Sequence, residues 1–540
     1  MRKISVFLII QLIIGFTVYG QGLEINWGHE FDSNTDVQKI LGVTKDKLVA
    51  YTLKGKKRFI ETYDRNGFKL DNTAEYELPE IENLQSGLLN ITLSKDNVAA
   101  LLYIYNKKER SFGLFSQTLT ITGKPIGKPL ELYNSGESDD KIKDSRVDVV
   151  FSPDNTKALV YFDRKDTDRT EFYSDVIVLD LSNGVNIESE KKFVFPIRNS
   201  KSENIDFRAF HSIENDGTYG LIQEKLETEK MKIVDFRLSV GRYTNKGEKI
   251  GETELSEAGK ILLSPTMLTK NGVTYVVGYF MNNSKGRTYV AGYSGLFMAV
   301  LDDEVQQESM KFNEFSDDFL LNIYSGKKVE KAADKGKELK VPAPYTMDEI
   351  FIHEDGTFTV LSEYYLVTVT VDKGAKTTTT NYGNILYFKL DDNGELIAAD
   401  AIKKNQISST SSIGLGVGSA AGSFGLGMFI SIELPDNRAK YWSYTSTMND
   451  GDIYLVFNDH FKNANDGEDD LSKPMVAPKK SVPFLVTISQ NGTFVKEAMV
   501  SSGDSETYLV PQVTYPISNS EFIIWGIYRK LNKFGLAKIK

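Results

Sequence analysis

The feature that most constrains the fold of this chain is a hairpin pattern that recurs along its whole length. The stretch from Val147 to Phe162 shows it most clearly, because an apolar run leads into a Ser-Pro-Asp-Asn turn and a second apolar run leads out. Short apolar runs that flank a tight polar turn are typical of an antiparallel β-hairpin. The chain is therefore expected to consist of successive hairpins.

Eight hairpins of this kind, the inner hairpins, follow one another along the sequence. Their turns favour Asn or Asp, often followed by Gly, because these residues accept the positive φ angles of a two-residue turn. The turn residues are Asp46, Asp96, Asp154, Asp216, Asn271, Asp355, Asp450 and Asn519. A second hairpin lies between successive inner hairpins, for example at Asp64–Gly67 and Ser182–Gly184. Each repeat therefore contains four strands, of which the last is the most polar.

A four-stranded antiparallel unit repeated eight times predicts an all-β fold, an eight-bladed β-propeller. Seven blades and tandem β-sandwiches are the alternatives, but no Pro-rich or Gly/Ser-rich linker divides the chain near its middle. The last repeat has one strand fewer than the others. We expect the alternating segment Leu23–Phe31 to pair antiparallel with Phe534–Ile539, and so to close a propeller domain that spans residues 21–540.

One turn carries a resemblance to a known family. Ser152-Pro153-Asp154-Asn155, followed by Lys157 and the strand Ala158–Phe162, resembles the Ser-Pro-Asp-Gly-Lys turn of WD40-like, TolB-type propeller repeats of bacterial exported proteins. The resemblance implies the propeller fold and an exported protein. It implies no activity, because propellers serve as enzymes, sugar binders and protein scaffolds alike.

The first 20 residues are predicted to be a secretory signal peptide. Arg2 and Lys3 precede an apolar run that ends in Val18-Tyr19-Gly20, which is the order of features in such peptides. The rest of the chain is expected to be exported without a transmembrane span, to the periplasm, the outer cell surface or the medium. The formal net charge of −10 for the full sequence, and the mixture of both signs along it, argue against a nucleic-acid partner.

The sequence shows no catalytic constellation and no metal-ligand spacing. There is no cysteine, so thiol nucleophiles and disulfides are excluded, and the four histidines are His29, His211, His353 and His460, far apart in sequence. His353 precedes a hairpin turn and is interpreted as a surface histidine. We expect no catalytic triad, no metal site among the histidines and no cofactor.

Three insertions lengthen repeats five to seven. Ser325–Pro344 is rich in Lys and Glu and is interpreted as a mobile excursion, Ser408–Met428 as a flexible glycine-rich loop, and Asn463–Lys480 as a solvated acidic loop. Loops on one face of a rigid scaffold are where binding residues usually lie. The three insertions are expected to rise from one face of the ring, opposite the inner turns, and to roof a pocket.

Polar connections on that face provide the candidate binding residues. They are Asn458, Asp459, His460, Asp163, Arg164, Asn282 and Arg529. The function predicted from the sequence is a scaffold that binds an envelope protein or a glycan; the alternative is an envelope hydrolase of carbohydrate or peptide, with carboxylates at the central channel. Alanine at Asn458, Asp459 and Arg529 together is expected to abolish ligand capture and to leave the melting temperature within a few degrees.

Overall fold

The computed structural model describes most of the chain. The described residues are 18–19, 22–32, 34–106, 108, 111–136, 143–165, 171–182, 184–196, 203–229, 232–282, 292–324, 326–336, 339–372, 375–413, 441–464, 473–499, 507–528 and 531–539. Within these ranges the chain forms eight antiparallel sheets of four or five strands and one small two-stranded sheet. The sheets recur in chain order, and we number them as blades 1 to 8.

The first half of the chain forms four blades. Two strands come first, β1 (Val18–Tyr19) and β2 (Leu23–Phe31). Blade 1 is β3 (Asp36–Val43), β4 (Lys47–Lys54), β5 (Lys57–Asp64) and β6 (Leu70–Glu75), followed by the small sheet β7 (Glu80–Ile81) and β8 (Leu84–Gln85). Blade 2 is β9 (Gly87–Ser94), β10 (Asn97–Asn106), β11 (Ser111–Thr120) and β12 (Pro125–Asn134). Blade 3 is β13 (Lys143–Phe151), β14 (Lys157–Lys165), β15 (Glu171–Asp180) and β16 (Asn186–Pro196). Blade 4 is β17 (Glu203–Ile213), β18 (Tyr219–Glu229), β19 (Lys232–Tyr243) and β20 (Lys249–Leu255).

The second half repeats the arrangement with additions. Blade 5 is β21 (Lys260–Lys270), β22 (Val273–Asn282), β23 (Gly295–Leu301) and β24 (Gln307–Glu314), followed by the helices α1 (Asp317–Ile323) and α2 (Gly326–Asp334). Blade 6 is β25 (Tyr345–Ile352), β26 (Phe358–Asp372), β27 (Ala375–Leu390) and β28 (Leu396–Ile402), with β29 (Gln406–Ile413) paired to the far end of β27. Blade 7 is β30 (Tyr444–Asn449), β31 (Asp452–His460), β32 (Ser481–Ile488) and β33 (Phe494–Ala498). Blade 8 is β34 (Thr507–Pro516), β35 (Glu521–Tyr528) and β36 (Leu531–Ile539), completed by β2 and β1.

The first strand of each blade lies innermost. From β3 to β25, each inner strand contacts the inner strand of the next blade. The inner strand β30 contacts β34, and β34 contacts β3. Between blades 6 and 7, the Tyr444 hydroxyl donates to Asp348 across the inner strands. The blades therefore form a ring. This arrangement confirms the predicted propeller, and it is not that of tandem β-sandwiches.

Two of the inner turns have positive φ angles at the predicted Asn or Asp. Asn271 and Gly272 have φ angles of 54° and 86°, and Asp450 and Gly451 have φ angles of 49° and 81°. Two consecutive positive φ angles define the type I′ turn, whose twist matches that of the strands that it joins. At Asp154, Asp216 and Asp355 the side chain has another role, because each carboxylate accepts the backbone N–H two residues further on.

The hydrophobic core is divided among the interfaces between neighbouring blades. Each main cluster of buried apolar side chains joins two adjacent blades, as when Leu159 and Val178 of blade 3 pack with Leu221 and Tyr243 of blade 4. The outer strands take little part, since most side chains of β12 and β20 are exposed. The fold is thus held together by sheets that pack face to face around the ring.

The amino-terminal strand completes the last blade. β2 pairs antiparallel with β36, with Leu23 opposite Ile539 and Ile25 opposite Ala537. Leu23 and Ile25 are buried in the core between blades 7 and 8. The strand therefore gives blade 8 its fourth strand and covers the edge of β36.

The interpretation of Ser325–Pro344 as a mobile excursion is wrong. Gly326–Asp334 is helical, in agreement with its Lys, Glu and Ala content. Val341 is fully buried between blades 5 and 6 and pairs with Tyr293 through backbone hydrogen bonds in both directions. The charged residues of the segment suggested that it extends into solvent, whereas the burial of Val341 holds it against the ring.

No helix in the described ranges is long and apolar enough to cross a membrane.

The other two insertions lie partly outside the described residues. The interpretation of Ser408–Met428 as a flexible loop lies mostly outside the described residues, because residues 414–428 are not described. Its first residues continue β29. Of Asn463–Lys480, the described parts include a helical turn at Pro478–Lys480 and Met475, which is fully buried against the end of blade 6.

The closing strand provides a test of the ring. Replacement of Ile25 by Ala deletes buried apolar atoms between blades 7 and 8, so we expect the free energy of unfolding to fall by about 2–4 kcal/mol, as for other buried aliphatic truncations. Asn26→Ala, on the exposed side of the same strand, should change it by less than about 0.5 kcal/mol. Urea denaturation measures both variants. If both variants lower the free energy of unfolding by the same small amount, β2 contributes little to the closure of the ring.

Candidate functional site

The inner strands of blades 3 to 6 surround a cavity of about 350 Å³, which we call the channel pocket. Side chains alternate along a strand, so Arg146 and Asp148 of β13 share the side that lines the cavity. Other polar lining residues are Tyr161, Arg208, His211 and Ser264. Together with Thr346 of blade 6, four consecutive blades thus contribute polar groups to one open pocket.

A charged pair lines the blade 3 side of the pocket. Arg146 Nη2 lies 2.8 Å from Asp148 Oδ2, and the Tyr161 hydroxyl donates to the same oxygen at 3.4 Å. The guanidinium also lies 5.4 Å from the centre of the Tyr161 ring. Burial raises the pKa of Tyr161, so its hydroxyl remains a donor. The two charged side chains are 40% and 46% exposed, so a ligand in the pocket can reach both of them.

His211 is the most unusual group at the pocket. Its side chain is 1% exposed, its ring stacks on Tyr161 at 3.9 Å, and Nε2 lies 3.7 Å from Asp163 Oδ1. Asp163 is itself buried and accepts a hydrogen bond from Ser174 at 2.6 Å. Neither imidazole nitrogen has a hydrogen-bond partner among the described residues. An unpaired buried polar group costs about 1–3 kcal/mol, and at 1% exposure the His211 side chain is out of reach of a ligand in the pocket.

A bulge positions the blade 5 side of the pocket. The pairing of β21 with β22 shifts between Leu263 and Thr266, and Ser264 has a φ of 49°, which is rare for a residue with a side chain. Its backbone N–H donates to the buried carboxylate of Glu224 at 2.9 Å. Arg208 Nη1 lies 3.9 Å from the same carboxylate. Bulges and strained backbone of this kind occur preferentially at functional sites.

A second bulge brings two carboxyl groups to the channel wall between blades 6 and 7. The pairing of β25 shifts between Met347 and Glu349, and Asp348 accepts from Thr346 at 3.2 Å and from Tyr444 at 3.1 Å. Enclosure within the ring raises the pKa of Asp348 to about 7, with a further contribution from the charge of Glu363. Its side chain still reaches water, as expected at a channel wall. Burial also raises the pKa of Glu349.

An amine lies on the other side of the ring. Lys39 of β3 donates to Asn90 of β9 at 2.7 Å, and its ammonium lies 5.3 Å from the centre of the Phe151 ring. Burial lowers its pKa to about 8, because the charged form loses hydration. The inner strands therefore place a weakly basic amine, two guanidinium groups and carboxyl groups around the same axis.

Among the residues predicted from sequence, Asn458 and Asp459 are fully buried. The Asn458 amide donates to the carbonyl of Leu509 at 2.8 Å and accepts from the N–H of Leu509 at 3.1 Å, which ties blade 7 to blade 8. Asp459 accepts from Asn463 at 2.9 Å and lies 3.5 Å from the Lys496 ammonium, and burial raises its pKa. The expectation that alanine at these positions would leave stability nearly unchanged does not fit this burial. Their role in binding stays a prediction.

The remaining predicted residues lie in separate blades. Arg164 forms an ion pair with Asp175, and its guanidinium lies 4.9 Å from the centre of the Phe162 ring. Asn282 ends β22, with its side-chain oxygen 3.5 Å from the Lys260 ammonium. The nitrogen Nδ1 of His460 accepts from the N–H of Lys462 at 3.1 Å, and Arg529 lies outside the described residues. Asp163, through His211, is the predicted residue that we find next to the channel pocket.

The surface interpretation of His353 is wrong. Its side chain is buried, and Nε2 lies 2.8 Å from the Thr359 hydroxyl. The turn that follows it is exposed, but the strand end itself packs inward. In the part of the chain that the structure describes, no three His, Asp or Glu side chains are grouped as metal ligands.

Sequence reasoning missed the pocket residues for an identifiable reason. Arg146 and Asp148 interrupt an apolar strand at alternate positions, and Thr346 and Asp348 do the same in blade 6. A charge at every second position of an inner strand is the signal for a channel-facing side. It has meaning only once the innermost strand of the repeat is known, since the same pattern on an outer strand faces solvent.

No protein-family model and no curated protein matches this sequence. Several solved structures are similar to this chain at low identity. The Dos1 propeller is 8% identical and covers 95% of this chain and 94% of its own, with a TM-score of 0.38. The β-propeller domain of the Trilobed protease from Pyrococcus furiosus is 9% identical over 83% and 93%, with a TM-score of 0.30. A polysaccharide lyase of family PL25, an ulvan lyase bound to -[GlcA(1-4)Rha3S]-, is 7% identical over 88% and 98%, with a TM-score of 0.36. At these identities and TM-scores, no property of these proteins is carried over to this chain.

Burial of Asn458 leads to a stability prediction. Asn458→Ala leaves the backbone N–H and C=O of Leu509 without their partner, so we expect the free energy of unfolding to fall by about 1–3 kcal/mol. Asn282→Ala removes one long contact and should change it by less than about 0.5 kcal/mol. Chemical denaturation with intrinsic fluorescence compares the two. If Asn458→Ala is as stable as Asn282→Ala, Asn458 does not tie blade 7 to blade 8.

The raised pKa of Asp348 predicts a pH dependence. Between its ordinary pKa near 4 and the folded value of about 7, the folded state binds more protons than the unfolded state, so the stabilising contribution of Asp348 is lost as pH rises to 7. Asp348→Asn removes this loss. The melting temperature of the variant relative to the native chain should therefore rise between pH 5 and pH 7.5.

Asp355→Asn is the matched control for that measurement. Hydrogen bonds from Thr357 lower the pKa of Asp355, so the group is ionised in both states throughout the same pH range. The melting-temperature difference of this variant should stay constant between pH 5 and pH 7.5. A constant difference for Asp348→Asn as well would mean that Asp348 ionises normally.

Proposed function

We propose that this protein is an exported propeller that binds a polar ligand, a glycan fragment or a polar segment of an envelope protein, in the channel pocket. The observation that carries the proposal is the set of polar side chains that blades 3 to 5 direct into one cavity. Arg146 and Asp148 are accessible there, and Arg208 and Ser264 line the same cavity. A concave site with a few convergent polar groups is the usual form of a ligand site.

The charges favour a ligand rich in hydroxyl and amide groups over a strongly charged one. Arg146 is matched by the accessible carboxylate of Asp148, and the charge of Arg208 is offset by the buried Glu224, so the guanidinium groups offer donors while the Asp148 carboxylate offers acceptors. A sugar hydroxyl can donate to the carboxylate and accept from a guanidinium group. Both proposed ligand classes fit this chemistry because each carries donors and acceptors in alternation.

Export is a part of the proposal that rests on the sequence of the first 20 residues. A basic start, an apolar run and Val18-Tyr19-Gly20 are the features that a signal peptidase recognises. Cleavage after Gly20 would remove β1 and leave β2, which begins at Leu23, to close blade 8. Processing is thus compatible with the complete ring.

Binding to a glycan array and isothermal titration calorimetry test the proposal. The double variant Arg146→Ala with Arg208→Ala removes the guanidinium donors of the pocket, so we expect at least a tenfold loss of affinity for any glycan bound by the native chain, equal to about 1.4 kcal/mol. Arg237→Ala is the matched control, because this arginine is 59% exposed on β19, away from the pocket. Undiminished affinity of the double variant would exclude the channel pocket as the site.

A second candidate is a hydrolase of carbohydrate or peptide, and one observation favours it. Asp348 has a pKa of about 7, which suits a general acid at neutral pH, and Glu349 beside it also has a raised pKa. The same glycans, incubated with the protein and assayed for new reducing ends, distinguish the candidates. Cleavage that disappears in Asp348→Asn supports the hydrolase, and binding without cleavage supports the scaffold.

A further inference from the structure

Blade 6 extends beyond the ring. Its strands β26 and β27 are 15 and 16 residues long, and β25 pairs with β26 only as far as Tyr364. From there Tyr365–Asp372 continues alone with Ala375–Tyr382, and Gln406–Ile413 pairs with the other side of that segment. We call these three segments the arm. At about 3.3 Å per residue, the eight residues of Tyr365–Asp372 project roughly 25 Å.

One edge of the arm is open. In the described part of the chain, no strand pairs with the outer side of Tyr365–Asp372, and the N–H of Tyr365 is occupied at the base by the carbonyl of Pro344 at 3.0 Å. Native edge strands usually carry Lys, Pro or other charges that discourage pairing. The outer strands β16 and β20 have such charges, whereas Tyr364–Val371 reads YYLVTVTV and has none.

Apolar side chains of the arm are exposed on one face. Tyr365, Val369 and Val371 are 42%, 37% and 71% exposed, and they occupy alternate positions of the strand, so they point to the same side. Opposite them on the neighbouring strand lie Tyr382, Thr378 and Lys376. The arm therefore combines open backbone hydrogen-bonding groups with a row of β-branched and aromatic side chains, which are the residues that best fit a strand interface.

We propose that the arm is a dimerisation surface, on which Tyr365–Asp372 pairs antiparallel with the same segment of a second copy. Two three-stranded arms then form one six-stranded sheet. Strand addition of this kind supplies main-chain hydrogen bonds along the edge. The proposal is independent of the ligand in the channel pocket, because the arm lies outside the ring.

The second copy is favoured because the segment is complementary to itself. Antiparallel pairing about a two-fold axis at Thr368 places Val367 opposite Val369 of the second copy, and Tyr365 opposite Val371. The apolar side chains of both copies then share one face, in the close cross-strand pairs that stabilise sheets. No charged residue from Tyr364 to Val371 opposes its like across this axis. A strand of an unrelated protein would form these apolar cross-strand pairs only if it had the same alternation of apolar side chains.

Sedimentation velocity of the chain from Gln21 to Lys540 tests the proposal. A pairing of about seven residues is small for a stable interface, so we expect a monomer–dimer equilibrium with a dimer fraction that rises through the micromolar range. Val369→Lys introduces two cations near the two-fold axis and should leave the protein monomeric at every concentration. Val495→Lys is the matched control, since this valine is 57% exposed on β33 of blade 7 and should leave the equilibrium unchanged.

Two further measurements make the outcome decisive. Circular dichroism should give Val369→Lys and Val495→Lys the melting temperature of the native chain, because both positions are exposed. Hydrogen exchange should show protection of the edge amides of Leu366–Val371 that increases with protein concentration in the native chain and not in Val369→Lys. A native chain that stays monomeric overturns the proposal, and so does a dimer that survives Val369→Lys.

Discussion

The structure depends on the burial of both faces of every blade. A sheet of four strands that stood alone would expose its apolar faces to water, whereas the ring gives each face a neighbour, with one cluster of buried side chains between each pair of adjacent blades. This arrangement requires that the last blade meet the first. Val513 and Trp525 of blade 8 accordingly pack with Leu48 and Ala50 of blade 1. Because the chain has no cysteine, this apolar burial takes the place of disulfides.

The same constraint explains why polar chemistry collects at the centre. Side chains of the second and third strands pack against neighbouring blades, so β10 and β15 are almost wholly buried. Inner strands have one side that faces the axis, where no neighbouring sheet covers it. Charged residues are tolerated there because they reach water or pair with each other, as Arg146 and Asp148 do. The bulges at Ser264 and Asp348 then turn individual groups toward that space.

Additions to the repeat are concentrated at blades 5 to 7, and they contact one another. The carbonyl of Pro344 accepts from Tyr365 at the base of the arm, and the carbonyl of Met475 accepts from Ile407 at 2.9 Å. The segments before β25 and after β31 therefore support the extended strands of blade 6. Blades 5 to 7 thus differ from the other blades of the ring. Their additions form a surface that the other blades lack and that another chain could contact.

The sequence by itself determined the repeat, the position of the turns, the polar outer strands and the need for an amino-terminal strand, because these follow from local periodicity and from the preference of Asn, Asp and Gly for turns. It did not determine which polar residues meet. Asp163 and His211 are 48 positions apart and belong to different blades, and they approach only because neighbouring sheets pack with a fixed stagger. Asn458 has the hydrogen-bonding side chain expected of a binding residue, yet the tertiary structure buries it between blades 7 and 8. Hydrogen-bonding side chains serve a ligand or an interface equally well, and only their surroundings decide between the two.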